Sequence, residues 1–539
     1  MAFIRTDPVT RARYSQGGGI QRLLPAAVAR PENHAELAQA IAWAGEQGLS
    51  ITPRGAGSAM DGGSLGRGLV LDLTAFDRGA ELAVDPVGQV VRASPGVTLD
   101  DVSRAAAAHR LRLGPDPSSS PWATVAGAIS TNAAGPRTYG LGAMDQWVVE
   151  VELMTTDGPL TLRRSARPDP DHPVVRRFER DAVPVLEANR VAVASRWPRT
   201  RKNTAGYALD RWWWSEHLLD LVIGSEGTLG VITGATLRLE PIPAHTAALR
   251  IALADRHSLP AAIGALEKVS PTAIELLDRS FIRLVQHRLT GDASSLPWHR
   301  VDALLLVDLE GATHSGLDER VAEARQALAG MAIDQRVGRD TDEIEALWSI
   351  RHAASPILAA IRDGRRSLQV IEDGCVPVGR LGEYLDAVER ACADARIDAV
   401  MFGHAGDGHV HVNLLPDVNG SDWLPRVRSV FDEVSSALIR LGGTPAGEHG
   451  AGRLRAGILE ARLGAEAIAC FGAIKRAFDP DGIFNPGVIL PDGSDPFAEL
   501  KVGAEAPGIP EGIATELWEI EQERRWGVSR WSKGDALLS

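Results

Sequence analysis

The chain has 539 residues, enough for two or three domains, and its 44% hydrophobic and 24% charged content is that of an ordinary folded protein. A formal net charge of −13 with no basic stripe to offset it argues against nucleic acid as a partner. Three widely spaced cysteines (Cys375, Cys392, Cys470) make neither a disulfide framework nor an iron–sulfur motif, so redox chemistry would rest on another group in a reducing compartment. The amino-terminal MAFIRTDPVTRARYSQGGG has no signal-peptide core, and no stretch is long and apolar enough to cross a bilayer. A cytoplasmic protein is expected, with peripheral membrane attachment compatible.

Residues 31–48 open with Pro31 and the capping-box spacing Asn33-x-x-Glu36, and Leu37, Ile41 and Ala44 recur on one face, which predicts a helix ending at Gly48. A predicted strand at 49–52 runs directly into PRGAGSAMDGGS. Strands at 69–73 and 89–93 and a helix over 98–109, capped by Thr98, continue an alternation that suits layered sheets and helices. Segment 115–145 interleaves small and apolar residues too regularly for a linker, and small side chains over such a length bring backbone close to a ligand. Strands at 147–155 and 159–163 flank the turn Asp157-Gly158, and Trp212, Trp213 and Trp214 precede LVIGSEGTLGVITGATLRL. From about 241, strands at 248–254, 272–278 and 303–311 alternate with helices at 258–268 and 317–329, which predicts a separate α+β domain with an antiparallel sheet. A helical stretch at 340–363, a strand at 369–376 and a helix at 380–394 lead to a histidine-bearing strand. Residues 474–490 read as a helix breaking into an Asn-Pro-Gly turn, and 500–539 as a surface-packing extension.

The most informative stretches are MFGHAGDGHVHVN at 401–413 and EHGAGR at 448–453. On a strand, His409, His411 and Asn413 share one face while Val410 and Val412 pack on the other. Three histidines in eight positions, joined by Glu448-His449, favour a metal site over satisfied polar side chains. Which two histidines bind is open from the sequence alone. His404, His411 and Glu448 make an N/N/O set for a divalent ion, leaving His449 and Asn413 for proton transfer and hydrogen bonding. The loop at 54–64 lacks the lysine of a Walker loop, and Met60 stands where a dinucleotide fingerprint needs glycine. Its backbone N–H groups suit a pyrophosphate, a reading that is even with a plain surface loop until segment 115–145 favours a cofactor. Arg351, in Leu347-Trp348-Ser-Ile-Arg351, is able to grip a carboxylate but by itself reads as a surface helix residue. Lys202-Asn203 by itself reads as a charged loop.

In order, PRGAGSA, ATVAGAISTNAAG, KNTAGY, IGSEGTLGVIT, GHAGDGHVHVN, EHGAG and FDPDGIFNPG resemble the FAD-linked 2-hydroxyacid dehydrogenases and oxidases. That family includes D-lactate dehydrogenase, the glycolate oxidase flavin subunit and D-2-hydroxyglutarate dehydrogenase, within the vanillyl-alcohol-oxidase-type flavoproteins. The resemblance runs from about residue 10 to 490. It implies an α+β fold with a two-subdomain PCMH-type FAD-binding domain at 1–240 and a substrate-binding cap with a ferredoxin-like antiparallel sheet at 241–470. Residues 471–539 would return to the FAD domain and form a tail. It also implies non-covalent FAD, since no histidine sits in the 54–64 loop, and a divalent metal, Zn or Mn. FAD is expected against Arg54, Gly55, Ala56, Gly57, Ser58, Asp116, Thr124, Gly127, Asn132, Glu226, Ile232 and Asn485. The metal is expected on His404, His411 and Glu448, with His449 as base, Arg351 on the substrate carboxylate and Asn413 beside them.

The reaction implied is oxidation of a small D-2-hydroxy acid of the D-lactate or glycolate type to its 2-oxo acid. The metal would acidify the hydroxyl, His449 would take its proton, and hydride would pass to flavin N5. Electrons would then reach a quinone, a cytochrome, an electron-transfer flavoprotein or O2. A homodimer is compatible. Two readings from other classes stand beside it: a non-redox FAD enzyme of the alkyl-dihydroxyacetone-phosphate synthase type, and a metal-dependent hydrolase, which leaves 115–145 unexplained. The chain departs from the family at His409, where Asn is usual, and at Val488, where lysine is frequent after the Asn-Pro-Gly turn. It also has Ile371 or Glu372 where the hydroxyglutarate branch carries a lysine.

Overall fold

Short runs of consecutive apolar residues form buried parallel strands at the start of the chain. In the computed structural model, which describes residues 1–78, 82–288, 296–353, 357–358, 361 and 364–531, Ala27–Ala29, Leu69–Asp72 and Ile51–Arg54 pair in parallel, with Ile4–Arg5 antiparallel at one edge. The helix His34–Glu46 packs on this sheet through Leu37, Ala40 and Ala44, and its first turn is closed by the Asn33 side chain accepting the Glu36 N–H. A second sheet holds, in spatial order, Ala83–Asp85, Val90–Ala93, Val231–Arg238, Val148–Thr155 and Gly158–Arg163, all antiparallel. Leu99–Ala107, opened by the Thr98–Asp101 capping box, and Val125–Ser130 pack into the core beneath it around buried Trp147.

The third sheet is antiparallel throughout, as its alternating strands and helices predict. Its seven strands run Ala332–Gly338, His245–Leu253, Ala303–Gly311, Ala273–Asp278, Asp398–Gly403, His409–Leu415 and Gly374–Cys375. Leu259–Glu267, His314–Leu328, Leu381–Asp394 and Trp423–Arg440 bury their apolar stripes in one core on this sheet. The predicted strand at 369–376 is shorter than expected. Leu368 bridges Leu414 and Gly374–Cys375 pair with Val410 and His409, but the residues between leave the ladder and carry Glu372 and Asp373 towards the histidines. The predicted helix at 340–363 is observed as Thr341–His352, and much of its remainder lies outside the described residues. The three cysteines are buried and free.

The end of the chain returns to the beginning. Helix Ala465–Phe478 is followed by the Asn-Pro-Gly turn, where the Ile51 N–H donates to the Ile483 carbonyl at 2.7 Å and the Asn485 N–H to the Ile51 carbonyl at 2.7 Å. The Asn485 side chain then ties four segments: Nδ2 donates to the Gly63 and Glu226 carbonyls at 2.7 and 2.8 Å, and Oδ1 accepts from Thr52 and Arg453 at 3.2 Å each. The tail packs against the start of the chain and also reaches inward. Glu511–Gln522 packs through Ile513, Leu517 and Ile520 on Ala12, and Arg13 pairs with Glu516 at 3.0 Å. Trp518, Glu521, Gln522, Arg524 and Trp526 reach the central cavity. Asn485→Ala leaves four groups, three of them buried, without this partner and is expected to cost about 2–4 kcal/mol of stability by denaturant unfolding; a loss below about 1 kcal/mol would remove it as a brace.

Candidate active site

The site begins with a hairpin. Asp398–Gly403 enters it, a single 3-10 turn at Ala405–Asp407 reverses the chain, and His409–Leu415 returns. Gly408 closes the reversal at φ +71°, with the place of a Cβ only 2.0 Å from the Val376 carbonyl oxygen, so a side chain is excluded by both strain and contact. The period of two along the returning strand sets the His409 and His411 rings 4.6 Å apart, and the turn brings His404 to 5.2 Å from His411.

Glu448 and His449 arrive on the turn beyond helix Trp423–Arg440. Asp373 holds that turn, accepting the Glu448 and His449 backbone N–H groups at 3.0 Å each and His409 Nε2 at 2.8 Å. One oxygen of Glu448 then lies 3.2 Å from His404 Nε2, 3.4 Å from His411 Nε2 and 3.5 Å from His449 Nε2. Its other oxygen accepts Lys202 Nζ at 2.8 Å, and the same ammonium lies 3.2 Å from Asp407. Lys202 is therefore a buried counter-ion to the cluster, not part of a solvated charged loop.

Charge states follow from these contacts. Burial pushes the Glu448 carboxyl up, but Lys202 and His404 outweigh it and hold the group well below the usual carboxylate range. Burial and the neighbouring His409 drive His411 well below its ordinary value, which keeps it neutral. His411 Nδ1 donates to the Glu372 carbonyl at 2.9 Å, so its Nε2 lone pair faces Glu448. His404 Nδ1 contacts Glu275 Oε1, a carboxylate whose pull overcomes the cost of burial and raises His404 to about 9. The other oxygen of Glu275 accepts Arg351 Nε at 3.1 Å. Arg351 is thus anchored, with its guanidinium 4.2 Å from the centre of the Phe402 ring, and it lines the cavity rather than an outer surface. His449 Nδ1 lies 2.6 Å from Glu372 Oε2; burial lowers its pKa, but Glu372 and Asp373 raise it to about 10. Asn413 accepts from Ser367 Oγ at 3.1 Å, while its buried Nδ2 has no partner among the described residues.

All of this opens into a cavity of about 680 Å³. Arg54, Gly55, Ala56, Gly57, Ser58, Thr124, Gly127, Glu226 and Ile232 line it, together with Arg351, His404, His411, Asn413, Glu448 and His449. The two small-residue loops touch: a Cβ on Gly55 would stand 2.3 Å from Thr124 Oγ1. Such a glycine-walled trough leaves backbone open to a long ligand and ends at the imidazoles, which fits a dinucleotide cofactor. Asp116, Asn132 and Asn485 are not among the lining residues. Asp116 pairs with Arg137 at 3.1 Å, and Asn132, at φ +50°, accepts the Asp145 N–H at 2.9 Å. Glu226 accepts the Ala451 and Gly452 N–H groups at 2.8 and 2.9 Å, fastening the turn after His449 to the glycine loops. The donor chemistry also suits a cation: two neutralisable imidazoles and an ionised carboxylate converge, with His409 close enough to be a fourth member.

Sequence reasoning missed Glu275 and set Lys202 aside. A carboxylate inside the otherwise apolar run TAIELLD was the available signal, because a buried charge needs a partner.

Comparison with known proteins agrees with this geometry. Residues 25–162 match the family described as FAD binding domain, and 242–489 match FAD linked oxidases, C-terminal domain. The chain thus carries both domains of the FAD-linked oxidases, and over most of its length it is similar to the FAD-linked 2-hydroxyacid dehydrogenases and oxidases. It is an oxidoreductase of that class. It is 29% identical over 474 residues to glycolate oxidase subunit GlcD of Bacillus subtilis (strain 168), covering 86% of this chain and 88% of that protein. It is 28% identical over 473 residues to a D-lactate dehydrogenase of Archaeoglobus fulgidus, covering 86% and 91%. Among solved structures, 4-ethylphenol oxidase from Gulosibacter chungangensis superposes with a TM-score of 0.65 at 15% identity over 91% of this chain and 95% of that one, which shows a shared vanillyl-alcohol-oxidase-type fold.

Lys202→Met removes the ammonium and leaves Glu448 and Asp407 buried together. Denaturant unfolding is expected to show a loss of about 3–5 kcal/mol, reduced when Glu448→Gln is added. A single-variant loss under about 1 kcal/mol would mean that Lys202 does not neutralise the cluster.

Proposed function

We propose that this protein oxidises a D-2-hydroxy acid to the 2-oxo acid with FAD, assisted by a divalent cation on His404, His411 and Glu448. In this reading residues 1–240 with the returning segment hold FAD, and the cap at 241–470 holds the substrate. The observation that carries it is the single Glu448 oxygen within 3.5 Å of three imidazole Nε2 atoms, in a cavity that also contains Arg351 and the glycine loops. When bound, FAD would accept the two electrons leaving Cα and the cation would acidify the hydroxyl.

The chain's own residues have separable tasks. Arg351, steadied by Glu275 on its Nε, keeps its two Nη groups for the carboxylate beside the hydroxyl. Asn413 Nδ2, buried and unpartnered among the described residues, supplies a donor to a substrate oxygen. Glu372 fixes the His449 ring by its Nδ1, so Nε2 is the atom that handles the hydroxyl proton. With Glu372 and Asp373 beside it His449 holds a proton; a positive charge on the adjacent N/N/O set would drive that proton off and make the imidazole a base. Glu275 joins a metal-set histidine and the substrate arginine through one buried carboxylate, so it couples both halves of the site.

An anaerobic absorption spectrum tests the reading: an oxidised-flavin band should bleach with D-lactate, glycolate or a larger D-2-hydroxy acid. A flavin that none of them bleaches overturns the reaction and favours a non-redox synthase-type role. His449→Ala should keep flavin and slow its reduction about 10²-fold or more, and unchanged reduction would take His449 out of proton transfer. His404→Ala should lose bound metal by elemental analysis; full retention would overturn the ligand set. Glu275→Gln should weaken metal retention and raise the substrate KM together, whereas a change in neither would deny the coupling.

A further inference from the structure

The C-terminal segment lies beyond both matched family regions, which end at residues 162 and 489, yet it forms part of the cavity wall. Its docking is extensive. Ile513, Leu517, Ile520 and Trp526 bury against Ala12 with Ala56 and Trp122 alongside, and Lys501 pairs with Glu521 at 2.8 Å. Buried Arg530 donates to the Gln16 and Arg13 carbonyls at 2.6 and 3.1 Å. A segment fixed at this many points holds its cavity-facing residues in place.

One of those residues is a cation. Arg524, at φ +53° just past the end of helix Glu511–Gln522, sets its guanidinium 5.2 Å from the centre of the Trp122 ring and lines the cavity with Arg351 and His352. It has no acidic partner among the described residues, and Glu521, the nearby carboxylate on the same wall, is taken by Lys501. The three groups feel one another: burial first, then Arg351, lowers Arg524, and burial followed by both arginines lowers His352. Arg351 has Glu275 to offset its charge and needs one carboxylate to complete its fork; Arg524 has none. Like charges lining one cavity are unfavourable until an anion enters it.

We propose that Arg524 is a second anion subsite, and that the substrate carries, besides the carboxylate on Arg351, a distal carboxylate or phosphate. This rests on the hydroxyacid reading for the identity of the ligand. Binding can be followed without turnover, by perturbation of the FAD spectrum of the purified holoprotein on titration with 2-oxobutyrate, 2-oxoglutarate and phosphonopyruvate. The wild type should bind at least one of the two dianions about 10-fold or more tightly than 2-oxobutyrate, and Arg524→Ala should abolish that preference while moving 2-oxobutyrate by less than about twofold. Arg524→Lys should retain part of it, and thermal unfolding of both variants reports whether the segment stays docked. Stronger binding of phosphonopyruvate assigns phosphate as the distal group, and stronger binding of 2-oxoglutarate assigns carboxylate. Equal wild-type affinities, no binding of any of the three, or an equal loss for all three in a folded Arg524→Ala overturns the subsite. A surviving dianion preference in a protein whose flavin no D-2-hydroxy acid reduces would leave the subsite standing and remove the hydroxyacid reading instead.

Discussion

The site depends on keeping the Glu448 carboxylate ionised although it is buried. One of its oxygens faces three imidazoles and the other is held by Lys202. Without the lysine, burial would favour the neutral acid, and the cluster would lose the negative member that a cation or an imidazolium requires. Lys202 in turn needs a fixed approach, which comes from the small-residue backbone around it: Nζ also meets the Gly135 carbonyl at 3.3 Å. A cofactor wall and a metal-type cluster therefore share a single ammonium.

A second level of support comes from Glu372 and Asp373, which sit where the expected strand leaves its ladder. Their two carboxylates and one carbonyl meet His409, His411 and His449, with Arg455 behind them on Glu372. The interruption is what makes this possible. A residue kept in the ladder gives its N–H and C=O to the neighbouring strand, whereas one that leaves can spend its carbonyl on an imidazole and so set the tautomer. The structure gives up a few sheet bonds for a specified arrangement of ring nitrogens.

The contribution of the tail changes how the cavity should be viewed. Its walls come from the first glycine loop, the small-residue segment, the antiparallel sheet and the last helix, parts of the chain separated by hundreds of residues. The positions contributed by the glycine loop and the small-residue segment are mostly glycine, alanine, serine and threonine, while the histidine cluster with its carboxylates and Arg351 is strongly ionic. That division suits a large ligand recognised by backbone and a small one recognised by charge.

Much of this was legible in the residues themselves. The alternation of strands and helices after residue 241 predicted the antiparallel sheet, the Asn33 and Thr98 spacings marked two helix starts, and the ordered motifs pointed to the FAD-linked oxidases and to an α+β fold. These features are local, set by side-chain period and capping chemistry within a few residues. Tertiary structure decided the rest, because a charge has no partner until distant segments meet. Lys202 reads as a loop cation until Glu448 arrives 246 positions later, and Arg351 reads as a surface arginine until Glu275 and Phe402 enclose it. Asp116, Asn132 and Asn485 sit in the expected loops, and there their amide and carboxylate side chains brace neighbouring backbone. Proximity in space, which sequence period cannot encode, assigned those charges and hydrogen bonds.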